Sequence, residues 1–377
     1  MVSKKKRDRR ANLEKQKLLD PEKLKQKKKI QRKRIVFAVG MGVFLCAAIL
    51  FVAFEIIRAV GKNSLQSRAE AAAPNLTPVM AKLTQEEETE WQDGWVKYHD
   101  QIYVYNEEIM NFLFMGIDKN SKAEEVEEGT NGGQADALFL AVMNPKNKTV
   151  KIIGINRNTM TDVDIYNEEG AYVTTRKAQI AVQHGFGNGM EESCEYQKKA
   201  VSKLFYNLPI HGYAAINMSA IPDINDAVGG VDVTVLEDLS ARDSALVKGA
   251  KVHLTGKTAF WYVKYRDTGV FGSADMRLAR QKQYLNAFAG AAKKAAGEDI
   301  SAAVNLYQTA APMMVTDISL DEVVYLAPIV LDYRFGGEDS FYMLEGETVM
   351  GEKFEEFYVD EEALYEMILE IFYEPKE

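Results

Sequence analysis

Twenty consecutive residues, from Ile35 to Phe54, carry no charged or strongly polar side chain. A helix of that length covers about 30 Å, which is the thickness of a bilayer's hydrocarbon core. The apolar run is longer than that of a signal peptide, and no small-residue cleavage pattern follows it. We therefore predict one transmembrane helix over 35–57 that is retained as an anchor.

The segment before this run is strongly basic. Residues 1–34 hold 16 of the 46 Lys and Arg residues, and their acids are Asp8, Glu14, Asp20 and Glu22. Because positive charge beside a span marks its cytoplasmic side, we predict a basic cytoplasmic tail over 1–34. The protein is then expected in the cell membrane, as a single-pass chain with an extracellular C-terminal domain.

The rest of the chain is acidic, since the whole sequence has a formal net charge of -9 despite the basic tail. An acidic body argues against nucleic acid as the main partner. Residues 58–108 mix Ala, Pro, Gln and Glu with little periodicity over their first part, which predicts a stalk and lead-in outside the membrane. The two cysteines, Cys46 and Cys194, lie far apart, so we expect no disulfide framework.

Three short apolar runs predict buried strands at 111–118, 137–144 and 149–156. The last two flank a turn near Lys146, and facing positions in such a hairpin sum to about 292. This register places Asp136 beside Arg157 at the open end of the hairpin. If the first strand runs parallel to the third, Asp118 reaches the same end.

Two carboxylates and an arginine at one sheet edge point to a magnesium and phosphate site. The carboxyl edge is the usual ligand position in α/β folds. Mg²⁺ prefers a few carboxylates plus phosphate oxygens over a full protein cage, and arginine matches a phosphate. The alternative is that Asp118 and Asp136 merely end their strands and pair with Arg157.

A second cationic stretch runs from 262 to 284. Lys264 and Arg266 are two residues apart, so on an extended segment they point to the same side. A helix expected over about 276–294 carries three polar residues on one face, Arg277, Arg280 and Gln281. A helix N-terminus that carries arginines suits an anion such as phosphate. The alternative is a solvated amphipathic helix whose arginines form ion pairs.

These stretches share motifs with a known family. They are MGID at 115–118, GGQAD at 132–136, INRNT at 155–159, GGVDVTVLEDLS at 229–240, YVKYR at 262–266 and RLARQ at 277–281. In this order, over roughly 112–292, the sequence resembles the LytR-CpsA-Psr (LCP) family. The resemblance implies an α/β domain over 109–297, with a mixed central sheet flanked by helices, held outside a Gram-positive type of cell by one N-terminal span.

The resemblance also implies a function. Members of the family are held to be phosphotransferases that move a glycopolymer, such as wall teichoic acid or capsular polysaccharide, from an undecaprenyl-pyrophosphate carrier to peptidoglycan. Carried over by motif, Asp118 and Asp136 would hold Mg²⁺, and Asp136, Arg157 and Arg266 would be catalytic. The pyrophosphate would be bound by Arg157, Lys264, Arg266, Arg277 and Gln281. Asp136 would accept the proton of the acceptor hydroxyl.

Three positions depart from the family pattern. The family usually has Arg at the positions of Gln134 and Lys264 and Asp at the position of Asn158, so each change removes a charge or a bidentate fork. Arg280 is a substrate-binding candidate that would compensate, and Lys177 is another, since the family often has a lysine there. The sequence does not predict how Gln134, Asn158 and Lys264 affect activity.

The final segment, 298–377, is an acidic extension without a catalytic constellation. A strand pair is expected within 340–359, followed by a closing helix over about 360–373. Two other functions are open at this stage. One is a non-catalytic polyprenyl-diphosphate binder that scaffolds or regulates envelope assembly, and the other is a pyrophosphate hydrolase.

Overall fold

The structure is a computed structural model that describes residues 51–68, 73–76, 94–119, 122–124, 132–298, 300–335 and 340–376. The chain divides into two compact units, 1–60 and 61–377. The first unit is described only at 51–60, where the backbone is helical. Most of the predicted span at 35–57 lies outside the described residues, and among those described there is no helix long and apolar enough to cross a membrane.

The second unit mixes strands and helices along the whole chain. Its strands are β1 (Trp95–Tyr98), β2 (Gln101–Tyr105), β3 (Met110–Ile117), β4 (Ala135–Asn144), β5 (Thr149–Ile155), β6 (Met160–Tyr166), β7 (Tyr172–Gln179), β8 (Gly212–Asn217), β9 (Val231–Thr234), β10 (Lys251–Leu254), β11 (Met314–Thr316), β12 (Phe341–Met343), β13 (Gly346–Met350), β14 (Glu355–Val359) and β15 (Tyr373–Pro375). Its helices are α1 (Glu191–Leu204), α2 (Ile221–Ala227), α3 (Gly256–Lys264), α4 (Ser273–Glu298), α5 (Ile300–Ala310), α6 (Leu320–Asp332) and α7 (Glu361–Phe372).

Six strands form the central sheet in the order β11-β8-β3-β4-β5-β12. The sheet is mixed, because β3 is parallel to β8 and β12 to β5, whereas the neighbours β3, β4 and β5 alternate in direction. Apart from the exposed Phe114, the apolar side chains of β3, β4 and β5 are buried or half-buried on both faces, as expected for strands covered on each side. The predicted mixed sheet flanked by helices is confirmed.

The β4–β5 hairpin has nearly the predicted register. Leu138 faces Ile155 and Asn144 faces Thr149, so the pairing differs by one position from the prediction. Continued past the last pair, it brings Asp136 opposite Arg157. Since β3 and β5 are both antiparallel to β4, they run in the same direction and end at the same edge of the sheet. The predicted meeting of Asp118, Asp136 and Arg157 at that edge is confirmed.

The two faces of the sheet bury separate apolar layers, because successive side chains point to opposite sides. On one face, Leu113 and Ile153 belong to a cluster that includes Val201 of α1 and Ile368 of α7. On the other, residues such as Phe112 pack with α4 and α6 through a cluster containing Leu278 and Ile329. Helices therefore cover both faces, and α4 crosses close to the sheet edge where the polar residues meet.

Two local predictions are wrong. The apolar alternation of VDVTV at 231–235 predicts a further strand of the central sheet. This is wrong, because β9 pairs with β10 in a separate two-stranded sheet over its own small core. Lys264 does not lie on an extended segment. It is the last residue of α3, whose buried Ala259, Tyr262 and Val263 follow the spacing of a helix.

Residues after 298 contribute to the same fold. β11 and β12 occupy the two edges of the central sheet, and β15 pairs with β2 near the start of the unit. The predicted strand pair is β13–β14, and the predicted closing helix is α7. One sheet is thus assembled from segments more than 200 residues apart.

Candidate active site

The site is built around the carboxylate of Asp136, the second residue of β4. Its side chain is only 7% exposed, and it is held by arginines from two directions. Nη1 of Arg157 lies 3.1 Å from Oδ1, and Nη1 of Arg277 lies 2.8 Å from Oδ2. Nη2 of Arg277 also donates to the main-chain carbonyl of Asp136 at 3.2 Å. A buried carboxylate that binds two guanidinium groups fixes both of them at the sheet edge.

Arg157 has one donor that no described residue satisfies. Its Nη1 binds Asp136 and its Nη2 donates to the side chain of Gln134, but its buried Nε has no hydrogen-bond partner among the described residues. Burial holds the pKa of Arg157 below its usual value, and the neighbouring Arg277 and Arg266 lower it further, against the attraction of Asp136. A buried unsatisfied donor is costly, so this group suits an anionic acceptor.

Lys264 brings the second carboxylate into the cluster. Its Nζ lies 2.7 Å from Oδ1 of Asp118, which directly follows β3. Asp118 is also tied to the β4 side, because its amide donates to the carbonyl of Gln134 at 3.0 Å. The carbonyl of Lys264 accepts a 3.5 Å hydrogen bond from Arg277. The end of α3, the start of β4 and helix α4 therefore meet at one place.

Arg266 faces a carboxylate that the sequence did not single out. Its Nη1 lies 3.9 Å from Oε2 of Glu355, the first residue of β14. Burial lowers the pKa of Arg266, and the positive charge of Arg277 lowers it further, whereas Asp136 and Glu355 act in the opposite direction. Glu355 lies in an acidic stretch, and nothing in the sequence distinguishes it from the nearby Glu352 and Glu356.

Arg280 and Gln281 lie behind the cluster. The guanidinium of Arg280 is fully buried, donates to the carbonyls of Tyr262 and Tyr265, and forms an ion pair with Glu237. Gln281 donates to the carbonyl of Val263 at 3.1 Å. Both side chains therefore support the end of α3 and the segment after it.

Lys177 belongs to a different environment. It lies on β7, its side chain is 69% exposed, and its Nζ is 3.1 Å from Oδ1 of Asp162 on the paired strand β6. The structure shows no contact that joins Lys177 to Asp136 or to the arginines around it. Its predicted substrate-binding role stays a prediction.

The site offers oxygen ligands of the kind that Mg²⁺ prefers. Asp118 and Asp136 offer hard carboxylate oxygens at one edge, which Mg²⁺ accepts together with phosphate oxygens. No group of three or more His, Cys, Asp or Glu side chains that could hold a metal occurs among the described residues. An ion at this place would therefore draw its other ligands from substrate or water. Asp118 is the more open of the two carboxylates, at 45% exposure.

The three departures from the family pattern all lie in this region. Gln134 accepts from Arg157, and Lys264 pairs with Asp118. Asn158 is buried, donates from Nδ2 to Oε2 of Glu355 at 3.3 Å, and accepts at Oδ1 from Gln179 at 3.1 Å. Each substituted side chain is thus bonded to a residue of the cluster or to its immediate support.

A mixed sheet whose edge collects arginine, lysine and aspartate side chains defines an α/β protein with a candidate anion-binding site. The particular family follows from the sequence, because a model of the LytR_cpsA_psr family matches residues 76–364. The chain belongs to the LytR-CpsA-Psr family.

Two relatives illustrate the similarity. TagU of Bacillus cereus, named polyisoprenyl-teichoic acid–peptidoglycan teichoic acid transferase, is 31% identical over 191 residues, which are 50% of this chain and 54% of TagU. TagV of Bacillus subtilis, which carries the same activity name, is 26% identical over 250 residues, or 64% of this chain and 58% of TagV. The chain therefore matches little more than half the length of these curated relatives.

Solved structures share the fold. A structure titled TagT bound to LI-WTA has a TM-score of 0.53 and 20% identity, and the match covers 70% of this chain and 89% of TagT. The crystal structure of B. subtilis TagV has a TM-score of 0.52 and 24% identity, with 70% of this chain and 94% of TagV covered. The mixed α/β architecture is common to all three.

Proposed function

We propose that this protein is a phosphotransferase that moves a glycopolymer from an undecaprenyl-pyrophosphate carrier to peptidoglycan. The strongest support is the convergence on Asp136, where two arginines bind the carboxylate and a third, Arg266, lies within electrostatic reach. The activity name of TagU and TagV supports a teichoic acid type of polymer.

The charges of the site suit a diphosphate. Arg157, Arg266, Arg277 and Lys264 face Asp118, Asp136 and Glu355, and each arginine lies close enough to another to oppose its charge. Bound phosphate oxygens would relieve this repulsion and would give the buried Nε of Arg157 an acceptor. Phosphoryl transfer depends mainly on positioning and charge neutralisation, so this set of cations is sufficient machinery.

The proposed reaction breaks a phosphoanhydride bond of the diphosphate and forms a phosphate ester bond to the acceptor. An acceptor hydroxyl of peptidoglycan attacks the phosphorus that carries the glycopolymer, the bond from that phosphorus to the bridging oxygen breaks, and undecaprenyl phosphate leaves. Arg157, Arg266 and Arg277 orient the diphosphate and stabilise its developing charge. The hydroxyl proton passes to a carboxylate, for which we propose Asp136, once one of its arginines turns to the phosphate.

We further propose that Mg²⁺ assists this reaction, with Asp118 and Asp136 as its protein ligands. When bound, the ion would neutralise charge on the phosphate oxygens. The support is the donor set and the openness of Asp118. Thermal unfolding of the full chain with pyrophosphate tests this proposal independently of activity, because Mg²⁺ should raise the unfolding temperature further in the wild type than in Asp118→Asn.

We propose that residues 35–57 anchor the protein in the cell membrane, with 1–34 in the cytoplasm and the C-terminal domain outside. The sequence supports this through the uncharged run and the basic residues that precede it. A lipid carrier confined to the membrane would then meet an enzyme held at the same surface. Protease treatment of intact cells should remove the C-terminal domain and leave the tail protected.

The central test is turnover of a polyprenyl-diphosphate oligosaccharide by the full chain in detergent with Mg²⁺, with and without peptidoglycan oligomers. Formation of a glycan–oligomer conjugate supports the phosphotransferase. Release of sugar phosphate regardless of the oligomers would instead show a hydrolase. Binding of the lipid without turnover would show a scaffold or regulator, and either result would overturn the proposal.

A further inference from the structure

The C-terminal segment reaches the site through one buried carboxylate. Glu355 is the first residue of β14 and is only 9% exposed, although both of its sequence neighbours are more open. Its main chain is held by strand β7, because the carbonyl of Glu355 accepts a hydrogen bond from Nε2 of Gln179 at 2.7 Å. Two residues further on, the amide of Phe357 donates to the carbonyl of Asn158 at 3.0 Å.

The side chain of Glu355 contacts three residues from two separate segments of the chain. Oε1 accepts from the amide of Gly272 at 2.7 Å, just before α4 begins at Ser273. Oε2 accepts from Nδ2 of Asn158 at 3.3 Å and lies 3.9 Å from Nη1 of Arg266. One carboxylate is therefore linked to the start of the helix that carries Arg277, to the segment that follows Arg157, and to Arg266 itself.

A second link comes from the same hairpin. The hydroxyl of Thr348 on β13 donates to Oδ2 of Asp275 at 2.9 Å, in the first turn of α4. The other oxygen of Asp275 accepts from the side chain of Asn156. The β13–β14 hairpin thus contacts the first turn of α4 through Thr348 and the segment after β5 through Glu355.

We infer that Glu355 is a positioning residue of the active site, whose negative charge holds Arg266 in place and sets the start of α4 for the binding of the diphosphate. This inference rests on the proposed function and assigns to the C-terminal segment a part in it. The neutral Asn158 is compatible with this role. It adds no second negative charge beside Arg266, and it donates a hydrogen bond to the carboxylate of Glu355.

The contact between Asn158 and Glu355 provides a charge-exchange test. Glu355→Gln removes the charge but keeps the shape, and we expect the affinity for the diphosphate to fall about tenfold or more with the lost charged interaction. Asn158→Asp places two carboxylates in contact, and their repulsion should also weaken binding. In the double variant Asn158→Asp/Glu355→Gln, one carboxylate and one amide again face each other, so the affinity should return to within about threefold of the wild type.

The experiment is calorimetric titration of the full chain in detergent with inorganic pyrophosphate and with geranylgeranyl diphosphate. Glu356→Gln is the matched control, because Glu356 is adjacent on β14 and its carboxylate accepts from the hydroxyl of Tyr358. We expect the control to bind like the wild type. Thermal unfolding of each variant separates loss of affinity from loss of folding.

Three outcomes would overturn the inference. Wild-type affinity in Glu355→Gln would limit Glu355 to a structural part, whether or not the variant unfolds earlier. Failure of the double variant to recover, with both single variants impaired and all of them folded, would show that the charge does not act between these two positions. Absence of diphosphate binding by the wild type would overturn the proposed function, and this inference with it.

Discussion

The guanidinium of Arg277 binds both the carboxylate and the main-chain carbonyl of Asp136. Nη1 lies 2.8 Å from Oδ2 and Nη2 lies 3.2 Å from the carbonyl oxygen, although the two residues are 141 positions apart in sequence. The side chains of both are almost completely buried. This pair joins helix α4 to the edge of the central sheet. Arg157, which follows the neighbouring strand β5, binds the other oxygen of the same carboxylate.

Replacement of Asp136 by Asn should damage both stability and activity. It would leave Arg157 and Arg277 buried near each other without their shared counter-charge. We expect the free energy of unfolding to fall by about 3 kcal/mol, as for other broken buried ion pairs, and transfer activity to be lost. Denaturant unfolding measures the first effect. Asp162→Asn removes one side of an exposed pair and should cost less than about 1 kcal/mol, so equal losses in the two variants would contradict the account.

Arg266 and Arg280 should respond differently to replacement by Gln. Among the residues that the structure describes, Arg266 forms one ion pair, the long contact with Glu355, so its loss should weaken diphosphate binding about tenfold or more with little change in stability. Arg280 is fully buried, donates to internal carbonyls and forms an ion pair with Glu237, so its loss should lower the free energy of unfolding by about 3 kcal/mol. Pyrophosphate titration and denaturant unfolding of both variants give the comparison. The reverse pattern would place Arg280 in the binding site.

The β4–β5 hairpin shows how much of the fold can be predicted from the sequence alone. Its register follows from two short apolar runs around a short turn, which are local features, so the meeting of Asp136 with Arg157 could be predicted within one position. Local periodicity and turn chemistry were sufficient for these elements.

Features that depend on distant packing could not be predicted in this way. Arg277 and Arg280 share one face of α4, yet the first points to Asp136 and the second to carbonyls at the end of α3, and only the position of α3 decides this. The spacing of Lys264 and Arg266 suggested a strand, whereas the burial of Tyr262 and Val263 required a helix. Glu355 was missed because its role depends on the contact of β14 with Asn158 and Gly272.

Acid should destabilise the fold through two buried histidines. Burial lowers the pKa of His184 and of His211 to about 4, and Nδ1 of His211 accepts a hydrogen bond from the amide of Asn111 that protonation would remove. Because the unfolded chain binds these protons near pH 6.5, stability should fall as the pH drops from about 6.5 towards 4, by roughly 3 kcal/mol for each histidine at most.

NMR titration of the histidine ring signals gives a direct measurement of this effect. His253 is the internal control, since it is exposed and its hydrogen bond to Asp232 raises its pKa. Its signal should shift at a higher pH than those of His184 and His211, which should remain neutral to about pH 4 while the protein is folded. Titration of all three near pH 6.5 would contradict the structure.

Magnesium should act through Asp118. The carboxylate is partly exposed and is paired with Lys264, so Asp118→Asn should leave folding nearly unchanged but should raise the Mg²⁺ concentration needed for half-maximal transfer by about tenfold. Activity should disappear in excess EDTA and return when Mg²⁺ is restored. An identical Mg²⁺ dependence in the variant and the wild type would remove Asp118 from the proposed site.

The most direct measurement follows the phosphorus itself. A polyprenyl-diphosphate oligosaccharide is labelled with ³²P in the phosphate next to the sugar and incubated with the full chain, Mg²⁺ and peptidoglycan oligomers. The wild type should place the label on the oligomer, Arg277→Gln should leave it in the donor, and Lys294→Gln, an exposed position on the same helix, should behave like the wild type. Transfer by Arg277→Gln at the wild-type rate, or label found only in free sugar phosphate with the wild type, would contradict the account.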